Sequence, residues 1–319
     1  MISVLFWNVA GILLLMVPGW LLRRRGILTE GATVALARLG VAAVYPCLMF
    51  ATVSERYTLQ SLAASWYLPA GVAGIMAVGW LLGRGASLIL SFPDAAQRRA
   101  FHLQCTLNNY CFLPLPMVAQ LFGPDAAAML LFSSAGAELM VWTFGVGTLT
   151  GGRLSWDHAR HLLSPPLLGL AAAIAVLILR DTGHLPGWTG PVPDGTAGKT
   201  LFATLKLLGQ ATIPLSMTVA GSCLAVLPLK ELRNSRVWAA SGMRLIVIPA
   251  VILAALACLP LPDLPRRVLC IVAVMPSAIA TLSLTQVYGG DEHFTAGAVL
   301  LTHLGALVTA PALLAIALA

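Results

Sequence analysis

The chain has 319 residues, of which 59% are hydrophobic and only 10% are charged, and its formal net charge is +7. Soluble globular proteins carry about 25% charged residues because a hydrated surface covers their core. This composition excludes a soluble enzyme or a disordered protein. The basic residues are scattered between apolar stretches and do not cluster into the patch of a nucleic-acid binder, so we predict a polytopic membrane protein in contact with the lipid bilayer.

Apolar stretches recur along the whole chain, and about 20 helical residues cross a bilayer core. Stretches of about that length predict ten transmembrane segments, numbered here in chain order. They lie near 2–22, 33–53, 66–90, 100–121, 126–149, 162–179, 201–226, 237–258, 267–287 and 294–318. A long break at 180–200 divides the chain, and we predict the first five-helix repeat plus helix 6 in 1–179 and the remainder in 180–319.

The basic residues of the connections indicate the orientation, because lysine and arginine concentrate on the cytoplasmic side. The odd-numbered connections contain Arg23, Arg24, Arg25, Arg84, Arg98, Arg99, Arg153, Arg160, Lys230, Arg233 and Arg236. The even-numbered connections contain Arg56, Arg180, Lys199, Arg266 and Arg267. We therefore expect the odd connections in the cytoplasm of a bacterium, both termini outside, and an inner-membrane location.

Segments 4 and 9 carry helix-breaking residues where an ordinary spanning helix would continue. Those of segment 4 are Asn108, Asn109, Pro114 and Pro116, and those of segment 9 are Pro276, Ser277 and Thr281. Proline removes a backbone donor and clashes with the preceding turn, and lipid cannot satisfy the freed groups. We predict two discontinuous helices that cross near the midplane, with half-helix N-termini that attract an anion. A plain proline kink in each segment is the alternative.

Corresponding residues recur in the two halves at a nearly constant separation. The pairs are Asp125 with Asp291, Arg38 with Lys206, Pro46 with Pro214, and Glu138 with His303. The repeating unit has five helices, an odd number, so the second copy must insert in the opposite orientation. Inverted repeats of this kind are typical of secondary transporters.

Three ionisable residues lie deep in apolar segments, where a charge costs at least about 2.5–3.5 kcal/mol. Arg244 is either a ligand of an anion or a structural partner of Glu138. Glu138 and His303 are either hydrogen-bonded structural residues or a proton-coupling pair, since imidazole changes its charge near neutral pH. The sequence leaves both alternatives open.

Nothing in the cysteine or histidine spacing indicates a cofactor. The six cysteines lie in apolar stretches and form no CxxC pair, and free cysteine behaves there as a small hydrophobe. We predict no metal, no cofactor and no catalytic residue, so the protein is not expected to be an enzyme. No nucleotide-binding pattern is present, and transport would be secondary.

Several motifs together resemble the auxin efflux carrier family, which includes the plant PIN carriers and bacterial organic-acid carriers. The matching stretches are 19–28, Tyr45-Pro46, 108–122, 213–217, 244–249 and 275–278, and the resemblance covers essentially the whole chain. The family commonly has Gly-Asn before the prolines of segment 4, where this chain has Asn108-Asn109, so the site carries over to both asparagines. The long cytoplasmic loop of the plant members is replaced here by 150–161.

The resemblance implies ten helices in two inverted repeats, with helices 4 and 9 broken and crossed. It implies a scaffold of helices 1, 2, 6 and 7, against which a transport domain of helices 3–5 and 8–10 moves like an elevator. The implied substrate is a small organic carboxylate anion bound at the crossing. The site residues are Asn108, Asn109, Pro114, Pro116, Pro276, Ser277, Thr281 and Arg244, with Glu138 and His303 as candidates for coupling.

Two alternatives remain at this point, and a homodimer is left open. One is a sodium-coupled carrier with the architecture of bile-acid symporters, although such carriers usually bind sodium with more acidic residues and Glu138 is the one acid deep in a segment. The other is an intramembrane sensor that binds a ligand without transporting it.

The orientation is testable by cysteine labelling of a cysteine-free variant in intact cells. We expect a cysteine added at the C-terminus to react with a membrane-impermeant maleimide from outside. A cysteine introduced within 150–161 should react only after the membrane is permeabilised, because the positive connections stay in the cytoplasm. A C-terminal cysteine that is labelled only after permeabilisation would refute the predicted orientation.

Overall fold

The computed structural model describes residues 6–7, 10–12, 14–151, 164–226 and 229–318. Within these ranges the chain is nearly all helical, with no β-strand and a single isolated bridge. Six helices are long and apolar enough to cross a bilayer. The fold is that of a polytopic, all-α membrane protein, as the composition predicts.

We number the helices α1 to α11 in chain order. They are α1 (Val17–Arg24), α2 (Glu30–Arg56), α3 (Leu59–Ile89), α4 (Ala95–Thr106), α5 (Pro114–Leu149), α6 (Pro165–Asp181), α7 (Thr196–Leu224), α8 (Ser235–Cys258), α9 (Asp263–Ala273), α10 (Ala280–Tyr288) and α11 (Glu292–Ala317). Among the described residues the six long apolar helices are α2, α3, α5, α7, α8 and α11, and α5 is kinked at Gly123, whose backbone is not helical.

Four predicted segments are not among these six helices, for identifiable reasons. Segments 4 and 9 are each broken into two short helices, α4 with the start of α5, and α9 with α10. Segment 1 and the beginning of segment 6 include residues outside the described ranges, and α6 has 17 described residues. Most of the predicted cytoplasmic connection 150–161 also lies outside the described residues.

Proline reshapes two of the long helices without ending them. α2 contains a π-helical turn over Gly40–Val44 just before Pro46, and α8 contains one over Met243–Val247 just before Pro249. A proline ring clashes with the carbonyl four residues earlier, and a wider turn relieves that clash. In α8 the widened turn carries Arg244, so the proline positions this side chain.

The helices pack in two groups. In the first, α7 packs on α1 and α2, and α6 packs on α2. The contact of α1 with α7 is close enough to require glycine, because a Cβ on Gly221 would overlap the carbonyl oxygen of Met16. In the second group, α3 packs on α4 and α5, α9 packs on α5 and α8, and α11 packs on α8. The broken helices therefore belong to the second group.

Candidate functional site

The two interruptions meet in the middle of the second group, at what we call the crossing, residues 107–113 and 274–279. Asn108 and Ser277 form an isolated antiparallel bridge. The Asn109 amide donates to the Pro276 carbonyl (2.8 Å), and the Ala278 amide donates to the Leu107 carbonyl (3.0 Å). Each break thus satisfies backbone groups freed in the other. The breaks predicted from sequence are present, and a plain proline kink in each segment is wrong.

The two asparagines of the crossing already have structural hydrogen bonds. The Asn108 amide nitrogen donates to the Val272 carbonyl (2.6 Å), while its Oδ1 is buried without a partner among the described residues. The Oδ1 of Asn109 accepts the Leu113 amide (3.3 Å). Asn108 therefore connects the break of segment 4 to the end of α9, and Asn109 supports the start of α5. The Oδ1 of Asn108 can still accept a hydrogen bond.

The prolines shape the crossing through the backbone. Pro114 is the first residue of α5, a position at which its missing N–H is not needed. Pro116 lies buried in the same turn, and Pro276 contributes the carbonyl that binds the opposite break. None of these three side chains has a hydrogen-bonding group, so they contribute to the crossing through backbone geometry and packing.

Arg244 connects the two broken helices. Its guanidinium is fully buried and donates to the carbonyls of Cys105 (3.2 Å) and Ala273 (3.1 Å). Cys105 lies in the last turn of α4, and Ala273 is the last residue of α9. Helix C-termini carry a partial negative charge, so one cation neutralises both half-helix ends.

This arrangement leaves the positive helix ends at the crossing. α5 begins at Pro114 and α10 begins at Ala280, each directly after a break. Helix N-termini attract anions through their dipoles and free N–H groups. Since Arg244 already occupies the two negative ends, the local field at the crossing favours an anion.

A chain of polar side chains continues from the crossing towards α10. The side-chain Nε2 of Gln104 donates to Thr281 Oγ1 (3.0 Å), and Ser277 Oγ donates to the backbone carbonyl of Gln104 (3.3 Å). Thr281 in turn donates to the Ala278 carbonyl (2.7 Å). Gln104 was missed by the sequence reasoning, although it is an uncharged polar residue in an apolar segment one turn before Asn108.

Glu138 is connected to the crossing by a residue that the sequence reasoning also missed. It accepts hydrogen bonds from the Tyr110 hydroxyl (2.8 Å), Trp142 Nε1 (3.3 Å) and Ser164 Oγ (3.4 Å). Tyr110 lies within the break of segment 4, directly after Asn109. Because these are the partners of Glu138, the alternative that it pairs with Arg244 is not observed.

His303 lies buried in α11 with its own partner. Its Nδ1 shares a hydrogen bond with the Val299 carbonyl (2.8 Å), and its Nε2 has no partner among the described residues. No hydrogen bond joins His303 to Glu138 in the part of the chain that the structure describes. The two coupling candidates therefore occupy separate environments.

The comparison with protein families identifies the class. Residues 4–158 and 154–314 match the family described as membrane transport protein, and together these two stretches cover nearly the whole chain. The chain belongs to this family, that of the auxin efflux carriers.

Three relatives of this family member are similar over most of their length. An uncharacterised transporter of Methanocaldococcus jannaschii is 27% identical over 305 residues, covering 91% of this chain and 92% of the relative. An uncharacterised transporter of Methanothermobacter thermautotrophicus is 24% identical over 314 residues, covering 95% of each chain. Protein PIN-LIKES 5 of Arabidopsis thaliana is 21% identical, covering 82% of this chain and 83% of the relative.

The crossing of this family member is closed in the structure. Asn108, Arg244, Ser277 and Thr281 are all 0% exposed. Two cavities lie elsewhere, around the end of α3. The structure is therefore a state in which the residues of the candidate site are packed against one another.

The role of Arg244 is testable by thermal unfolding of the purified protein. We expect Arg244→Gln to lower the free energy of unfolding by about 2–3 kcal/mol, because the shorter, neutral side chain leaves at least one of the two buried carbonyls without a donor, at ~1–3 kcal/mol for each unsatisfied group. Arg244→Lys should fall between this variant and the wild type, because an ammonium keeps the charge without the planar fork. The exposed Arg25→Gln is the matched control. A wild-type melting temperature for Arg244→Gln would contradict the role assigned to this side chain.

Proposed function

We propose that this membrane transport protein is a secondary transporter of small organic carboxylate anions, which bind at the crossing and move by alternating access. The observation that carries the proposal is the distribution of charge at the four helix ends. Arg244 neutralises the C-termini of α4 and α9, and the N-termini of α5 and α10 remain to attract a carboxylate. The membership of a transport family supports a carrier over an enzyme.

The proposed architecture is ten helices in two inverted five-helix repeats, with the first repeat and helix 6 in 1–179 and the remainder of the second repeat in 180–319. The symmetry of the crossing supports it, because each break donates one backbone hydrogen bond to the other. Gly123 and Gly289 support it further. Each adopts φ +82° two residues before an aspartate, Asp125 or Asp291, so a glycine with a left-handed φ follows both broken segments.

An elevator-like movement is the proposed mechanism, with α1, α2, α6 and α7 as the scaffold and α3–α5 and α8–α11 as the transport domain. Polar contacts join the two groups where α2 ends. Arg56 pairs with Asp125 (3.1 Å), and Asp181 accepts the Leu59 amide (2.6 Å). The Arg56 and Asp125 side chains are 33% and 68% exposed. Exposed pairs of this kind contribute little stability, so they could separate readily when the groups move.

Proton coupling is proposed to depend on Glu138. A carboxylate that accepts from Tyr110 is one hydrogen bond away from the break that carries Asn109, so its protonation could follow the opening of the crossing. A proton that accompanies the anion offsets its charge, and moving one charge across 100 mV corresponds to ~2.3 kcal/mol. His303, with its unpartnered Nε2, is the second coupling candidate.

Sodium coupling is the alternative, and the position of Arg244 argues against it. Carbonyls at half-helix C-termini are the groups that coordinate sodium in transporters with broken helices. Here the guanidinium already binds two such carbonyls, those of Cys105 and Ala273. We therefore propose proton coupling or uniport, in a bacterial inner membrane with both termini outside. A sensor that does not transport and a homodimer remain proposals without a specific contact in their favour.

Uptake into proteoliposomes tests the substrate class and the site together. We expect radiolabelled mono- or dicarboxylates to accumulate in sodium-free buffer and to raise the melting temperature of the purified protein. Asn108→Ala combined with Asn109→Ala should abolish both effects while the protein stays folded by circular dichroism and gel filtration. Asn234→Ala, which alters an asparagine outside the crossing, is the control. Unchanged binding by the double variant would show that the crossing is not the substrate site.

The coupling role of Glu138 is tested by Glu138→Gln, which keeps the shape of the side chain but cannot ionise. We expect this variant to bind substrate and to exchange it, but to lose the acceleration of uptake by an imposed pH gradient. The exposed Glu30→Gln should behave as the wild type. Wild-type pH dependence in Glu138→Gln would eliminate the coupling role, and loss of binding together with stability would assign Glu138 a structural role.

A further inference from the structure

A groove that the transport mechanism does not use lies at the end of α3. It consists of two adjoining cavities of about 360 and 380 Å³, and Leu90 lines both. The first cavity lies between the end of α3 and the beginning of α4, and the second lies between the end of α3 and the first half of α8. The crossing contributes no residue to either cavity, so the groove is a separate feature.

The first cavity is polar, and its lining contains one guanidinium and one carboxylate. Its polar lining residues are Ser87, Asp94 and Arg98. The Asp94 carboxylate accepts a hydrogen bond from the backbone N–H of Gln97 (2.8 Å). The exposed guanidinium of Arg98 makes no ion pair within the described ranges. A second guanidinium, that of Arg236, reaches this region from α8 and donates to the Ser91 carbonyl (2.7 Å). The cavity is therefore suited to a ligand with a negative group.

The second cavity is apolar and open to the surroundings of the helices. It is lined by Ala86, Ile89, Leu90, Ala239, Gly242, Met243 and Val247. Ile89 is 86% exposed and Val247 is 43% exposed, so these side chains face the bilayer and not the protein core. A Cβ on Gly242 would meet no atom within 4 Å, which shows how open the floor of this cavity is.

We propose that this groove binds one anionic glycerophospholipid, with its phosphate beside Arg98 and an acyl chain along the apolar cavity. The ligand must be both charged and apolar, because a polar and an apolar cavity join at Leu90. The arginines lie in connections that the positive-inside rule assigns to the cytoplasm. The cytoplasmic leaflet is the one that exposes anionic lipids. The charge of the arginines and their expected cytoplasmic side therefore both favour an anionic lipid.

The position of the groove gives the lipid a structural consequence. α4 starts beside the polar cavity and ends at the crossing, and α8 carries both the apolar wall and Arg244. Arg236 links the start of α8 to the connection between α3 and α4. A lipid bound here would therefore hold together the start of α4, whose other end lies at the crossing, and the start of α8, which carries Arg244.

Native mass spectrometry of the purified full-length chain with defined lipids tests this proposal. We expect phosphatidylglycerol to be retained more strongly than phosphatidylcholine with the same acyl chains. Arg98→Gln should weaken phosphatidylglycerol binding about fivefold, the contribution of one basic residue near an anionic surface, and Arg98→Lys should restore most of it. Arg25→Gln, which removes a charge from another basic connection, should have no effect.

A second variant probes the apolar cavity. Gly242→Leu should fill the groove and weaken the binding of both lipids, while inorganic phosphate at millimolar concentration should not displace phosphatidylglycerol, because the headgroup alone lacks the apolar contact. Equal retention of the two lipids, or undiminished phosphatidylglycerol binding by Arg98→Gln, would overturn the proposal. Displacement by inorganic phosphate would also overturn it and would indicate a site for free anions.

Discussion

One buried guanidinium joins the two broken helices at their crossing. Arg244 binds the C-terminal carbonyls of α4 and α9 at once, and no lipid could supply the missing partners of these groups. Its positive charge also offsets the partial negative charge of these two helix C-termini inside the protein. The N-termini of α5 and α10, which carry the positive ends of the helix dipoles, therefore lie at the crossing without such a partner among the described residues, and this is the basis of the proposed anion site.

Local sequence features give Arg244 its position. Pro249 widens α8 into a π-helical turn that carries the arginine. Arg244 binds the two helix ends that precede the breaks. The breaks start where asparagine and proline interrupt the apolar pattern, and backbone hydrogen bonds from one break to the other stabilise them. The same region reaches outwards through Tyr110 to Glu138. A change in the packing of the crossing would therefore be felt by the carboxylate proposed to bind a proton.

Much of the fold could be predicted from the sequence, because lipid imposes strict local rules. Helix positions follow from runs of about 20 apolar residues. The breaks follow from prolines that occur together with asparagine, serine or threonine in one segment, whereas the single prolines Pro46 and Pro249 do not end their helices. The partners of the polar residues could not be predicted in the same way. Gln104 and Tyr110 have no distinctive spacing, and their roles arise from contacts with Thr281 and Glu138, distant along the chain.

The sequence by itself determined that this chain is a polytopic membrane protein, where its helices break, and which family it belongs to. Only the tertiary structure decided the partners of Arg244: two backbone carbonyls, not Glu138. The physical reason is that hydropathy and proline act within one helix, whereas a buried cation is satisfied by whichever acceptors the packed helices bring within 3–3.5 Å. Every residue offers such a carbonyl, so no sequence pattern marks the one that will be used.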